Sequence, residues 1–142
     1  FVIFGGATGY QAAVERAKTL SNVFIHPLLP QSKISEVYSM GDVALITCRK
    51  GVGRSGMPSK TWSIMACNTP IIASFDTDSE LTGVLRESKT GVSIPAESKD
   101  ALLNEILRVY SNNSEIDGRI YIKKYASRFS CVKRYIELFE GK

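Results

Sequence analysis

Between residues 50 and 60 the chain reads Lys-Gly-Val-Gly-Arg-Ser-Gly-Met-Pro-Ser-Lys, setting three cations and two serines among glycines and a proline. Residues of these types suit an anion. Glycine lets backbone amides approach a ligand closely, while lysine and arginine supply charge. The segment follows an apolar run, Val43–Thr47, and leads into a helical pattern near Ser59. It therefore ends on a helix start, where free amides and a partial positive charge gather. Lys60 stands in the first turn, where a cation opposes the macrodipole. A bound anion would satisfy both, whereas a lysine snorkelling into solvent needs no ligand. The candidates are Gly53, Arg54, Ser55, Gly56, Met57, Pro58, Ser59 and Lys60, with Arg49 and Lys50 adding positive potential.

Other chemistries fit less well. Gly51, Gly53 and Gly56 spell GxGxxG, and Asp76 follows twenty residues later, which invites a dinucleotide-binding reading. Pro58 comes too soon after the third glycine for that motif, and two strands precede it where the fingerprint belongs to the first. His26 is the only histidine and has no second ligand at helical spacing, so no metal site is expected. Cys48, Cys67 and Cys131 show no CxxC spacing and read as small buried hydrophobes in a reducing, cytoplasmic compartment. The net charge of +4 suits an anionic ligand or an anionic membrane face, or simply a solvated surface. The basic residues form no recognisable nucleic-acid module. No stretch is long and apolar enough to span a membrane.

The elements that would hold the glycine-rich segment alternate along the chain. Strands are expected at Phe1–Gly5, Val23–His26, Val43–Thr47, Ile71–Phe75 and Gly91–Ile94. Helices are expected at about 9–20 (Ala13, Ala17 and Leu20 inward), 32–40 (Ile34, Val37 and Tyr38) and 59–67. Another follows Asp78 or Ser79 to about Glu87. A long one starts at Ser98-Lys99-Asp100 with Leu102, Leu103, Ile106 and Leu107 inward, and two more lie near 115–127 and 130–140. The aromatic tail (Tyr121, Tyr125, Phe129, Tyr135, Phe139) reads as packing rather than a cofactor box, some of it expected to cross over to a partner domain. Strands separated by helices imply βαβ units and one α/β domain over residues 1–142: a Rossmann-like open parallel sheet with helices on both faces. Ligands of such sheets bind beyond the carboxyl ends of the strands. That singles out the loops Gly5-Gly6-Ala7-Thr8, Pro27–Pro30, Arg49–Lys60, Phe75–Glu80 and Ile94–Glu97.

The run MPSKTWSIMACNTPIIASFDTDSEL, Met57 to Leu81, resembles the donor-binding signature of group 1 (family 4) glycosyltransferases, in particular the capsule and O-antigen branch with Pro-Ser-Lys before the helix. MACNTPIIAS is close to that family's M-A-x-G-x-P-V-I-A-S. Phe1–Gly6 resembles the strand and glycine turn that open the nucleotide-binding region. SKISEVYSMGDVALI resembles the next helix and strand, and TGVSIPAESKDALLNEILRVYSN a later strand–helix element. The similarity covers almost the whole chain, in the family's motif order.

The resemblance implies the donor-binding, C-terminal domain of a two-domain GT-B enzyme, lacking its first strand and helix and the separate N-terminal acceptor domain. It implies transfer of a sugar from a nucleotide diphosphate donor, UDP-sugar favoured, to a lipid-linked or glycan acceptor in surface polysaccharide biosynthesis. Retention at the anomeric carbon, no obligatory metal, and work at the inner face of the membrane go with it. The phosphate-facing loop falls on Ser55–Lys60, with Lys60 as the phosphate or sugar contact, and the base pocket on the backbone around Leu28 and Leu29, with Gly5 and Gly6 nearby. Two family glutamates, eight positions apart, correspond to Ser55 and Ser63, which accept hydrogen bonds less strongly than carboxylates. Glu80 is a substitute carboxylate, or a helix-capping residue. Loss of both glutamates also fits a degenerate copy acting as a binding or partner module; a dinucleotide oxidoreductase is the third reading.

Overall fold

The chain folds as α/β, with parallel strands joined through helices; the computed structural model describes residues 1–6, 8–111 and 116–141. Two units form, Phe1–Ile34 and Ser35–Lys142. Ala7, in the first candidate loop, and residue 115, at the start of an expected helix, lie outside the described residues.

The first unit is a βαβ element. Strand β1 (Val2–Gly5) pairs parallel with β2 (Phe24–Pro27), in a register running from Val2↔Phe24 to Gly5↔Pro27. Helix α1 (Tyr10–Ala17) connects them, with Ala13 and Ala17 half-buried. It stops one turn short of the expected end, leaving Leu20 half exposed. His26 stacks on Phe4, ring centroids 5.5 Å apart, which gives the lone histidine a packing role.

The second unit holds the whole of the buried apolar core. Strands β3 (Ala44–Thr47), β4 (Ile71–Phe75) and β5 (Gly91–Pro95) form a parallel sheet in the order β3-β4-β5. Every residue of β4 is buried, as the uninterrupted apolar run demands of a central strand. Ile71, Ala73 and Phe75 join Ile46, Ile64, Met65, Leu81 and Leu85 in one cluster. A β-carbon at Gly91 would lie 2.1 Å from the Ile71 carbonyl oxygen, so this pairing needs a glycine there.

The earlier part of this unit begins with α2 (Ile34–Ser39), whose Val37 and Tyr38 are half-buried while Ile34 is exposed. Helix α3 (Lys60–Ala66) joins β3 to β4 and ends in a Schellman turn. Asn68, at φ 58°, donates to Met65 O (3.0 Å), and Thr69 donates to Ile64 O (3.3 Å). Asn68 occupies the position where the family pattern M-A-x-G-x-P carries glycine.

Helix α4 (Glu80–Ser88) starts after Ser79 as expected, but that hydroxyl sits 3.3 Å from the Thr82 hydroxyl instead of capping a backbone amide. Helix α5 (Lys99–Ser111) packs on β4 and β5 with Leu102 and Ile106 half-buried. Leu103 and Leu107, expected inward, are more than half exposed: the covered arc of the helix runs through Ala101, Leu102, Glu105, Ile106 and Val109 instead.

The tail comprises α6 (Gly118–Tyr121), a π-helical segment over Ile122–Ala126, and α7 (Arg128–Phe139). A β-carbon at Gly118 would fall 2.4 Å from the Met65 carbonyl oxygen, so α6 lies directly against α3. Tyr121 and Tyr125 pack together at 4.7 Å, with Arg134 over the Tyr125 ring. Phe129, Tyr135 and Phe139 do not follow the packing expectation: they are 80%, 65% and 90% exposed, on an arc of α7 that meets solvent. No helix among the described residues is long and apolar enough to cross a membrane.

Candidate functional site

The carboxyl ends of β3 and β4 open on a shallow cleft of about 390 Å³. Ser55, Gly56, Met57, Pro58 and Lys60 line one side, Thr47, Cys48 and Val52 another, and the buried Ile46 and Phe75 lie beneath. The strand-end rule thus places the glycine-rich segment where a ligand would sit. Cys48, read as a small buried hydrophobe, is half-buried and borders this cleft. A second depression, about 360 Å³ along α7, is lined by Phe129, Val132 and Ile136 with the Lys133–Glu137 pair, and holds no candidate residue.

The loop is held from behind. Gly51, at φ 86°, takes a left-handed conformation open to glycine, and a 3₁₀ turn follows over Gly53–Ser55. Asp76, 8% exposed at the end of β4, accepts the Gly51 amide on Oδ1 (2.9 Å) and the Gly53 amide on Oδ2 (2.8 Å). Gly53 is buried against the Phe75 ring. Asp76, weighed from the sequence only as the acidic residue of a dinucleotide motif, therefore lies behind the glycines. Its signal was its place: a carboxylate directly after a buried strand, one loop along from a run of glycines.

Arg54 does not line the cleft and grips Asp78, with Nε–Oδ1 at 3.1 Å and Nη2–Oδ2 at 2.9 Å. The hydrogen bond from Arg54 holds the Asp78 carboxyl below its usual pKa, and that from Asp78 raises the guanidinium's. Both side chains are more than half exposed, so the tether is a weak one. Ser55 donates its hydroxyl to the Val52 carbonyl at 2.7 Å. Lys60 is exposed at the start of α3 and has no ion-pair partner among the described residues.

Other candidates lie apart from the cleft lining. Ser59 precedes α3 and makes no side-chain cap, while Ser63 is exposed on that helix. Glu80 is exposed in the first turn of α4, a favourable place for a carboxylate on the dipole. Gly5, Gly6, Leu28 and Leu29 belong to the first unit. There a β-carbon on Gly6 would touch Leu28 at 3.4 Å, so the glycine turn and the Pro27–Pro30 loop adjoin. Leu28 and Leu29 are exposed. No group of three His, Cys, Asp or Glu among the described residues is placed to hold a metal ion.

The family profile described as "Glycosyl transferases group 1" matches residues 1–112. The chain belongs to the group 1 glycosyltransferases. The match takes in both βαβ regions, the glycine-rich loop and α5, and stops before α6 and α7. Among curated proteins, none matches the sequence. The cleft thus brings together a helix start, a cation with no ion-pair partner among the described residues and a pinned glycine loop, groups of the kind that suit an anion.

Proposed function

We propose that this glycosyltransferase domain binds a nucleotide diphosphate sugar, with UDP favoured, and presents it for transfer to a lipid-linked or glycan acceptor in capsule or O-antigen synthesis. The observation that supports this is Lys60, which lines the cleft at the first turn of α3 with no ion-pair partner among the described residues. A cation there opposes the helix dipole, and a diphosphate would neutralise both. As the sugar–phosphate bond breaks, charge grows on the leaving diphosphate, and Lys60 with the α3 amides would stabilise it. In this reading Gly56–Ser59 approach the phosphates, and Ser63 or Glu80 serves the ribose or sugar hydroxyls. Retention of anomeric configuration, independence from a metal, a separate acceptor domain and a cytoplasmic site at the membrane face come with the family resemblance.

Calorimetry with UDP tests the claim directly. Lys60→Ala should weaken binding by about tenfold or more, the loss expected of a charged hydrogen bond. Equal affinity of wild type and variant would remove Lys60 from the site. A second reading, a transferase-like module that only binds a partner, is favoured by Ser55, whose hydroxyl is spent on its own loop. In that case Lys60→Ala leaves partner binding intact and the wild type shows no UDP binding.

A further inference from the structure

We infer that Asp76 is the positioning residue of the Arg49–Lys60 loop, its buried carboxylate holding the loop at Gly51 and Gly53 and so presetting the phosphate-facing end, Ser55–Lys60, for an anion before any ligand arrives. This rests on the donor-binding reading above. Two amides of one loop, from residues two apart, end on the two oxygens of one side chain, at 2.9 and 2.8 Å. Only a carboxylate can accept both: an asparagine has one acceptor oxygen and would set its NH₂ against an N–H. Asp76 is also fixed from its own side. Its backbone carbonyl accepts the Ser79 amide (3.1 Å) and the Thr82 hydroxyl (3.3 Å), and Thr82 is 2.9 Å from Ser93 on β5. The carboxylate is therefore anchored to the sheet, and the loop to the carboxylate.

The geometry separates this role from ligand contact. Asp76 does not line the cleft, whereas Val52 and Ser55–Pro58, carried on the same loop, do. Its negative charge faces the amides behind the loop, so it orients the loop without itself meeting an anionic ligand. A loop ordered beforehand spares the ligand the entropy of ordering it, and that difference appears as affinity.

The test compares wild type, Asp76→Asn and a core control, Val84→Ala, in the 142-residue chain, by UDP calorimetry, thermal melting and residue-resolved amide exchange. Asp76→Asn should weaken UDP binding about tenfold or more and speed exchange at Gly51 and Gly53, with exchange in β4 and β5 unchanged. Val84→Ala should lower the melting temperature and keep UDP affinity within about twofold, since destabilising the core leaves the folded loop as it was. Wild-type affinity in Asp76→Asn overturns the positioning role and leaves the donor reading standing. Absence of UDP binding by wild type defeats the donor reading, and this inference with it. Should Asp76→Asn not fold, wild type alone decides. Gly51 and Gly53 must be protected without UDP and gain little when it is added; exchange at the rate of free loop amides overturns the inference.

Discussion

A β-carbon at Gly53 would lie 2.5 Å from Cε1 of Phe75 and 3.2 Å from Oδ2 of Asp76. Both neighbours are buried at the end of β4, and Asp76 is held by the Gly51 and Gly53 amides. Gly53→Ala should therefore destabilise the second unit by about 1–3 kcal/mol, the usual cost of overpacking. It should also lift the loop off its carboxylate and weaken UDP binding. Denaturant titration and calorimetry on one sample read both effects; an alanine tolerated at no cost would show that the Phe75–Asp76 wall gives way. At this scale the sequence displayed residue types well and partners poorly. Lys60 could be picked out because a cation in a first turn is anomalous by itself. The partners of Arg54 and Asp76 could not be read in the same way, because they depend on which loops meet, and the Arg54–Asp78 pair joins residues from different loops.

Helix α3 carries the loop's far end, and its own end has a local signature. Asn68 sits in the left-handed region at φ 58°, with its side-chain Oδ1 buried and without a hydrogen-bond partner. Glycine would adopt that conformation without strain and remove the orphaned oxygen. Asn68→Gly is expected to stabilise the chain by about 1 kcal/mol, seen as a higher denaturation midpoint at unchanged slope. A lower midpoint would mean that the Asn68 side chain contributes something its hydrogen bonding does not show. Elements of this kind were legible because their signals are local: Ile71–Phe75 as a covered strand, Asn68-Thr69-Pro70 as a stop, Ser98 before α5. The α5 stripe was read too wide, since periodicity gives the apolar arc of a helix but not how much of it the sheet covers. The tail divides for the same reason. Tyr121 and Tyr125 find partners, while Phe129, Tyr135 and Phe139, at similar spacing, face solvent.

Across the whole molecule, burial is divided unevenly between the two units. Every buried core residue belongs to Ser35–Lys142, while the described residues of Phe1–Ile34 include none that is buried. A two-stranded parallel ribbon with one short helix does not hold itself together in water. A peptide of residues 1–34 should accordingly give a coil-like circular dichroism spectrum, and residues 35–142 should melt cooperatively. The same division separates the proposed contacts. Lys60, the pinned loop and Asp76 all lie in the second unit, whereas Gly5, Gly6, Leu28 and Leu29 lie in the first. Residues 35–142 alone should therefore bind pyrophosphate about as well as the whole chain does, because charge and helix amides supply that affinity. Parallel pyrophosphate titrations of the two proteins give the comparison. An affinity lost with residues 1–34 would take Lys60 and the pinned loop out of the phosphate-binding role.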